Sequence, residues 1–153
     1  MTALGALGEH VVMASGTPTD SICSDGVAIV REFLALPKNA AAGRAVVRSL
    51  LEECAIRGDW IHEVMIAAGE ALANAVQHAY PTGARGKMIL SIYCCTEHNV
   101  IALQVRDRGK GRMSADADTP SRRGFGFLIM RALAEAVSIE TNDGTTVTMV
   151  FKK

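Results

Sequence analysis

Residues 64–76, VMIAAGEALANAV, form the stretch on which the fold turns. Every residue in it except Glu70 and Asn74 is apolar or glycine, so the pattern predicts a helix buried nearly all round. Glu70 and Asn74 stand four residues apart, about 40° from one another around a helix axis, and His78 continues their line. A buried carboxylate costs several kcal/mol unless it is partnered, and Asn is a poor helix former. Two such residues on one line either mark a site or hydrogen-bond to a neighbouring loop. His78, next to Ala79-Tyr80-Pro81, reads as a structural or C-terminal capping residue or as a ligand contact.

Outward from this helix, which extends over about residues 60–79, the pattern supplies the rest of the domain. Residues 27–36 are apolar enough for a strand, and Pro37 stops it. Residues 39–57 turn helical, with Val46, Val47, Leu50, Leu51 and Cys54 at the spacing of one buried face. Gly58-Asp59 breaks that helix, and Asp59 is placed to cap the next. Downstream, residues 87–95 and 99–106 read as strands joined by the polar turn Thr96-Glu97-His98. A long polar loop leads to a helix over 125–136, and residues 137–141 and 145–151 close a hairpin around Asn142-Asp143-Gly144. The order β-α-α-β-β-α-β-β predicts a two-layer α/β sandwich: a mixed, mostly antiparallel sheet with its helices on one face. Residues 1–26 form an irregular N-terminal arm, and 27–153 the domain proper.

The whole-chain arithmetic agrees with a single domain of this kind. The 153 residues are 49% apolar, and 16 basic side chains balance 16 acidic ones for a net charge of +0. That balance argues against a strongly basic nucleic-acid-binding domain. No window approaches the ~18 uninterrupted apolar residues of a membrane span, and the first residues lack the pattern of a signal peptide. A soluble, cytoplasmic protein is expected. Cys23, Cys54, Cys94 and Cys95 form no C-x-x-C pair, so they read as reduced thiols used as small apolar residues.

Three Gly-containing segments complete the pattern. In Asp107-Arg108-Gly109-Lys110-Gly111 a strand ends in an acid followed by two glycines, which let the backbone turn and approach a ligand. The acid is placed to accept from a donor such as an adenine amino group. Arg122-Arg123-Gly124-Phe125-Gly126-Phe127 opens a helix, where free backbone N–H groups and two arginines suit phosphate. Gly144-Thr145-Thr146 opens the last strand. Each is weak alone.

Together, E-x-x-x-N on a buried helix, D-x-G-x-G, G-x-G and G-T-T resemble the N, G1, G2 and G3 boxes of the GHKL ATPases. The superfamily includes histidine kinases, type II topoisomerases and chaperone ATPases. The resemblance covers about residues 27–151, and GEALANAVQHAY is most similar to the bacterial anti-sigma-factor serine/threonine kinases. It implies a Bergerat-type fold and ATP with Mg²⁺ as cofactors. Asn74 would coordinate the metal, Glu70 would act as general base, and Asp107 would read adenine beside Gly109 and Gly111. Residues 112–123 would form a lid over the phosphates, with Arg123 at its end and Gly124 and Gly126 as its hinge. Thr145 or Thr146 would lie near the adenine.

Two departures point away from a histidine kinase: Gln77 stands where many of those enzymes carry Lys, and the residues before 27 leave no room for their phosphoacceptor helices. The resemblance therefore implies an ATP-dependent kinase that phosphorylates a small anti-sigma-factor antagonist and sequesters a sigma factor. Its partners would be those two proteins, with no direct nucleic acid and no membrane, and a homodimer is expected. The alternative is a nucleotide-responsive binding module with little kinase activity, controlling a phosphatase or another switch protein.

Overall fold

Pro37 does more than end the first strand, because it also opens the helix that follows. A computed structural model describes residues 26–81, 84–110 and 124–153. Residues 1–25 of the expected arm, and the expected lid with Gly111 and Arg123, lie outside the described residues. β1 (Val27–Leu34) is joined to α1 (Pro37–Glu53) through Leu36, whose φ of −118° and ψ of 149° are the extended values a following proline imposes. Pro37 then occupies the first turn, where its missing N–H leaves no hydrogen bond unmade.

α1 ends at Glu53, short of the expected boundary at 57, because Ala55 and Gly58 take left-handed φ values of 58° and 67°. Asp59 is the first residue of α2 (Asp59–His78) rather than its cap. Gly58 holds the cap position without a side-chain bond, and Asp59 instead places a negative charge in the first turn, where the helix dipole favours it.

The remaining elements are β2 (Lys87–Cys95), β3 (Val100–Asp107), α3 (Gly124–Leu133), β4 (Ala136–Glu140) and β5 (Thr145–Lys152). The strands lie in the order β1-β2-β3-β5-β4, and all four pairings are antiparallel, so among the described residues the sheet is not mixed. Alternate residues point to one face, as the two-residue strand period requires. Met88, Leu90, Ile92 and Cys94 of β2, Ile101, Leu103 and Val105 of β3, and Val147, Met149 and Phe151 of β5 all enter the core. Against them pack Val47, Leu50 and Leu51 of α1 and Val64, Ala67, Ala68, Ala71, Leu72 and Ala75 of α2. Each fully buried Leu contributes ~1.5–3 kcal/mol of burial free energy. The result is the expected two-layer α/β sandwich with helices on one face. No helix among the described residues is long and apolar enough to cross a membrane.

Two further expectations need correction. α2 is not buried all round: Ile66 is 51% exposed, and Glu70 and Asn74 are only half-buried. Small residues, chiefly alanines, make its buried stripe, which lets the helix lie close to the sheet while the opposite side stays open. Cys95 is disulfide-bonded, so the reading of four reduced thiols fails there.

Candidate functional site

Glu70 and Asn74 project from the middle of α2 toward the first turn of α3. A Cβ added to Gly126 would stand 2.7 Å from Glu70 Oε2 and 3.6 Å from Asn74 Nδ2. Only a residue without a side chain lets the two helices meet with the carboxylate in this position. Gly124 begins the same turn at a φ of 68°, so the chain swings into the helix through a conformation that favours glycine. The first backbone N–H groups of α3 have no acceptor within the helix. Gly126, which carries one of them, stands beside Glu70 and Asn74. Neither of these side chains is hydrogen-bonded to another group among the described residues, so bonding to a neighbouring loop does not explain them there. Arg44 of α1 lies alongside, its Cδ 3.5 Å from where a Cβ on Gly69 would be.

Asp107 ends β3 on the core side of the sheet and is only 6% exposed. Its Oδ1 accepts the backbone N–H groups of Gly109 at 2.9 Å and Thr145 at 3.3 Å. Oδ2 accepts nothing from the described residues. Burial pushes the Asp107 carboxyl above its ordinary pKa, and the two N–H donors only partly offset that rise. The fold thus holds one carboxylate oxygen fixed and the other available.

Gly109 is needed for a reason the sequence did not show. A Cβ there would collide with the carbonyl of Ala79, at the C-terminal end of α2. The same helix that carries Glu70 and Asn74 at its middle therefore abuts the Asp107 loop at its end. Gly144, with a φ of 79°, packs as closely against the Asp107 carbonyl from the β4–β5 hairpin.

The register separates the two threonines. Thr145 stands opposite Asp107 and shares its face, whereas Thr146 stands opposite Arg106 and points to the other side of the sheet. His78 is the last residue of α2 and is exposed, which fits a residue at a helix end better than a packed ligand contact. Tyr80 is a contact residue at this loop that the sequence does not single out, because a single Tyr after a helix carries no distinguishing pattern. Gly144 belongs to the G-T-T segment that the sequence singles out, but only the fold shows what it packs against.

The donor set suits one kind of metal. Among the described residues no group of three or more His, Cys, Asp or Glu could hold an ion by itself. Mg²⁺ commonly binds through one or two protein oxygens plus substrate phosphates and waters. The Asn74 carboxamide, beside open helix N–H groups that would receive those phosphates, fits that habit.

Comparison with known proteins gives a consistent picture. Residues 33–151 match the family described as the histidine kinase-like ATPase domain. A Bacillus subtilis (strain 168) protein named anti-sigma F factor is 31% identical over 127 residues, covering 76% of this chain and 86% of that protein. Its namesake from Anoxybacillus flavithermus is 29% identical over 130 residues, covering 78% and 88%. The crystal structure of the RsbU and RsbW domains of a Mycobacterium tuberculosis protein superposes with a TM-score of 0.64 at 23% identity. That match covers 82% of this chain and 32% of the other, and it speaks for the fold alone.

Proposed function

The chain belongs to the histidine kinase-like ATPase domain family, and on that premise we propose that it is an ATP-dependent serine/threonine protein kinase and anti-sigma factor. Its substrate is a small anti-sigma-factor antagonist, and its second partner is a sigma factor that it sequesters. The placement of Glu70 and Asn74 against the open N-terminus of α3 carries this reading. Residues 27–153 are the kinase domain, acting in the cytoplasm as a homodimer.

Each group has a physical task. Asp107 Oδ2 accepts the adenine amino group, with Gly109 shaping the wall and Thr145 on the same face. Asn74 would hold Mg²⁺, which when bound would supply neutralisation of charge on the phosphates. Gly124 and Gly126 present backbone N–H groups to the phosphates. In the transfer, a bond forms between the substrate hydroxyl oxygen and the γ-phosphorus. The bond from that phosphorus to the bridging oxygen breaks, ADP leaves, and Glu70 takes the hydroxyl proton.

A groove of about 490 Å³ between α1 and α2 supports a protein partner. Arg44, Arg48, Met65 and Ile66 are among its lining residues, a mixture of basic and apolar groups complementary to an acidic segment with apolar anchors.

The deciding experiment incubates the protein with radiolabelled ATP, Mg²⁺ and candidate antagonist proteins. Transfer of label to a Ser or Thr is expected. Saturable nucleotide binding without any transfer would replace the kinase with the nucleotide-responsive module.

A further inference from the structure

Tyr80 lies just beyond α2, half-buried, and its ring fills the space where a side chain on Gly86 would be. Its hydroxyl donates to the carbonyl of Lys87 at 2.7 Å and accepts the backbone N–H of Arg108 at 3.0 Å. Those two partners are not arbitrary. In the β2–β3 ladder Met88 stands opposite Asp107, so Lys87 and Arg108 are the next pair in register. The tyrosine hydroxyl is inserted between a donor and an acceptor that an uninterrupted antiparallel ladder would join directly.

We infer that Tyr80 is a positioning residue for base selection: a wedge that ends the β2–β3 ladder one residue after Asp107 and so fixes where that carboxylate points. The loop released by the wedge turns immediately, which brings the Gly109 N–H back onto Asp107 Oδ1 and packs Gly109 against the Ala79 carbonyl. Oδ1 is tied down by this turn and by Thr145, and Oδ2 is thereby aimed at the base. Without the hydroxyl, Lys87 and Arg108 either close directly on one another or admit water. Both outcomes move the residue next to Asp107. This inference rests on the proposed role of Asp107 as the adenine acceptor.

Tyr80→Phe keeps the ring against Gly86 and deletes only the bridge. The probes are ATP and purine riboside triphosphate, which lacks the exocyclic amino group. The unaltered protein is expected to favour ATP, and Tyr80→Phe to narrow that preference about two- to tenfold, the value of one net hydrogen bond. Affinity for the purine analogue should stay the same. Thermal unfolding is recorded alongside. A lower melting temperature with an unchanged preference would make Tyr80 a structural residue only and overturn the inference.

If the unaltered protein shows no preference, the Asp107 reading fails and takes this one with it. If the preference exists and survives in Tyr80→Phe, only the wedge is wrong. Amide exchange at Arg108 in the unaltered protein gives a test free of any mutation. Slow exchange is expected from the bridge, and fast exchange would show that no bridge forms.

Discussion

Gly126 approaches Glu70 so closely that one methyl group on its Cα would stand 2.7 Å from the carboxylate oxygen. The obstruction is the far end of a flexible side chain, so Gly126→Ala is accommodated by turning Glu70 aside rather than by moving helices. Within a helix, Ala is favoured over Gly by up to ~1 kcal/mol. The variant should therefore melt no lower than the parent while phosphotransfer falls at least about tenfold, since a displaced base is out of hydrogen-bond reach. Equal activity with equal stability would show that the Glu70 position is not critical.

Glu70→Gln separates binding from chemistry more directly. Gln keeps the size and most of the hydrogen bonding but cannot accept a proton. Loss of a general base costs ~10²–10⁴-fold in rate, and the base acts mainly in the transition state. Near-normal ATP affinity and melting temperature are expected, with transfer down by at least about 10²-fold. Normal transfer would place the base elsewhere.

Asn74→Ala should weaken nucleotide binding more in Mg²⁺ than in EDTA, because only a metal-bridged contact depends on the ion. Calorimetric titrations in both buffers decide this. Equal weakening would make Asn74 a structural residue.

Asp107 predicts both base choice and pH dependence. GTP presents a carbonyl where ATP has an amino group, so acceptor meets acceptor. The unpaired buried group costs ~1–3 kcal/mol, roughly tenfold to a hundredfold in affinity. Burial raises the Asp107 pKa, so on acidification the carboxylate protonates earlier than an ordinary aspartate. ATP affinity should therefore fall as pH drops through that raised value.

Stability moves in the opposite sense. The folded chain holds this proton more tightly than the unfolded one. Asp107's contribution to stability is thus greatest at low pH, and it declines as pH rises from the ordinary aspartate value through the raised one. Asp107→Asn should remove this titration from both ATP binding and unfolding. If the pH dependence of ATP binding persists in that variant, it belongs to another group.

Local pattern alone determined much of this protein. The apolar spacing along residues 39–57 and 60–79, the alternation in the strands and the Gly-containing breaks gave the order of the eight elements among the described residues. They did so because burial on one face leaves a period in the chain. The pairing of Glu70 with Asn74 was legible for the same reason: two polar residues stand out against an apolar helix.

Boundaries were less legible. The sequence shows Pro37 as a strand stop and Asp59 as a cap, whereas Pro37 also starts a helix and Asp59 is a first-turn residue, because backbone conformation at the neighbouring residue makes that choice. Only the register with β3 shows that Thr145, and not Thr146, shares a face with Asp107. Tertiary structure likewise decided that Gly109 must be small for the Ala79 carbonyl, Gly126 for Glu70, and that the Tyr80 hydroxyl sits between Lys87 and Arg108. These are contacts between segments that are distant in sequence or that meet only after the sheet has formed. A one-dimensional pattern records which residues seek burial, but not which atoms they meet there.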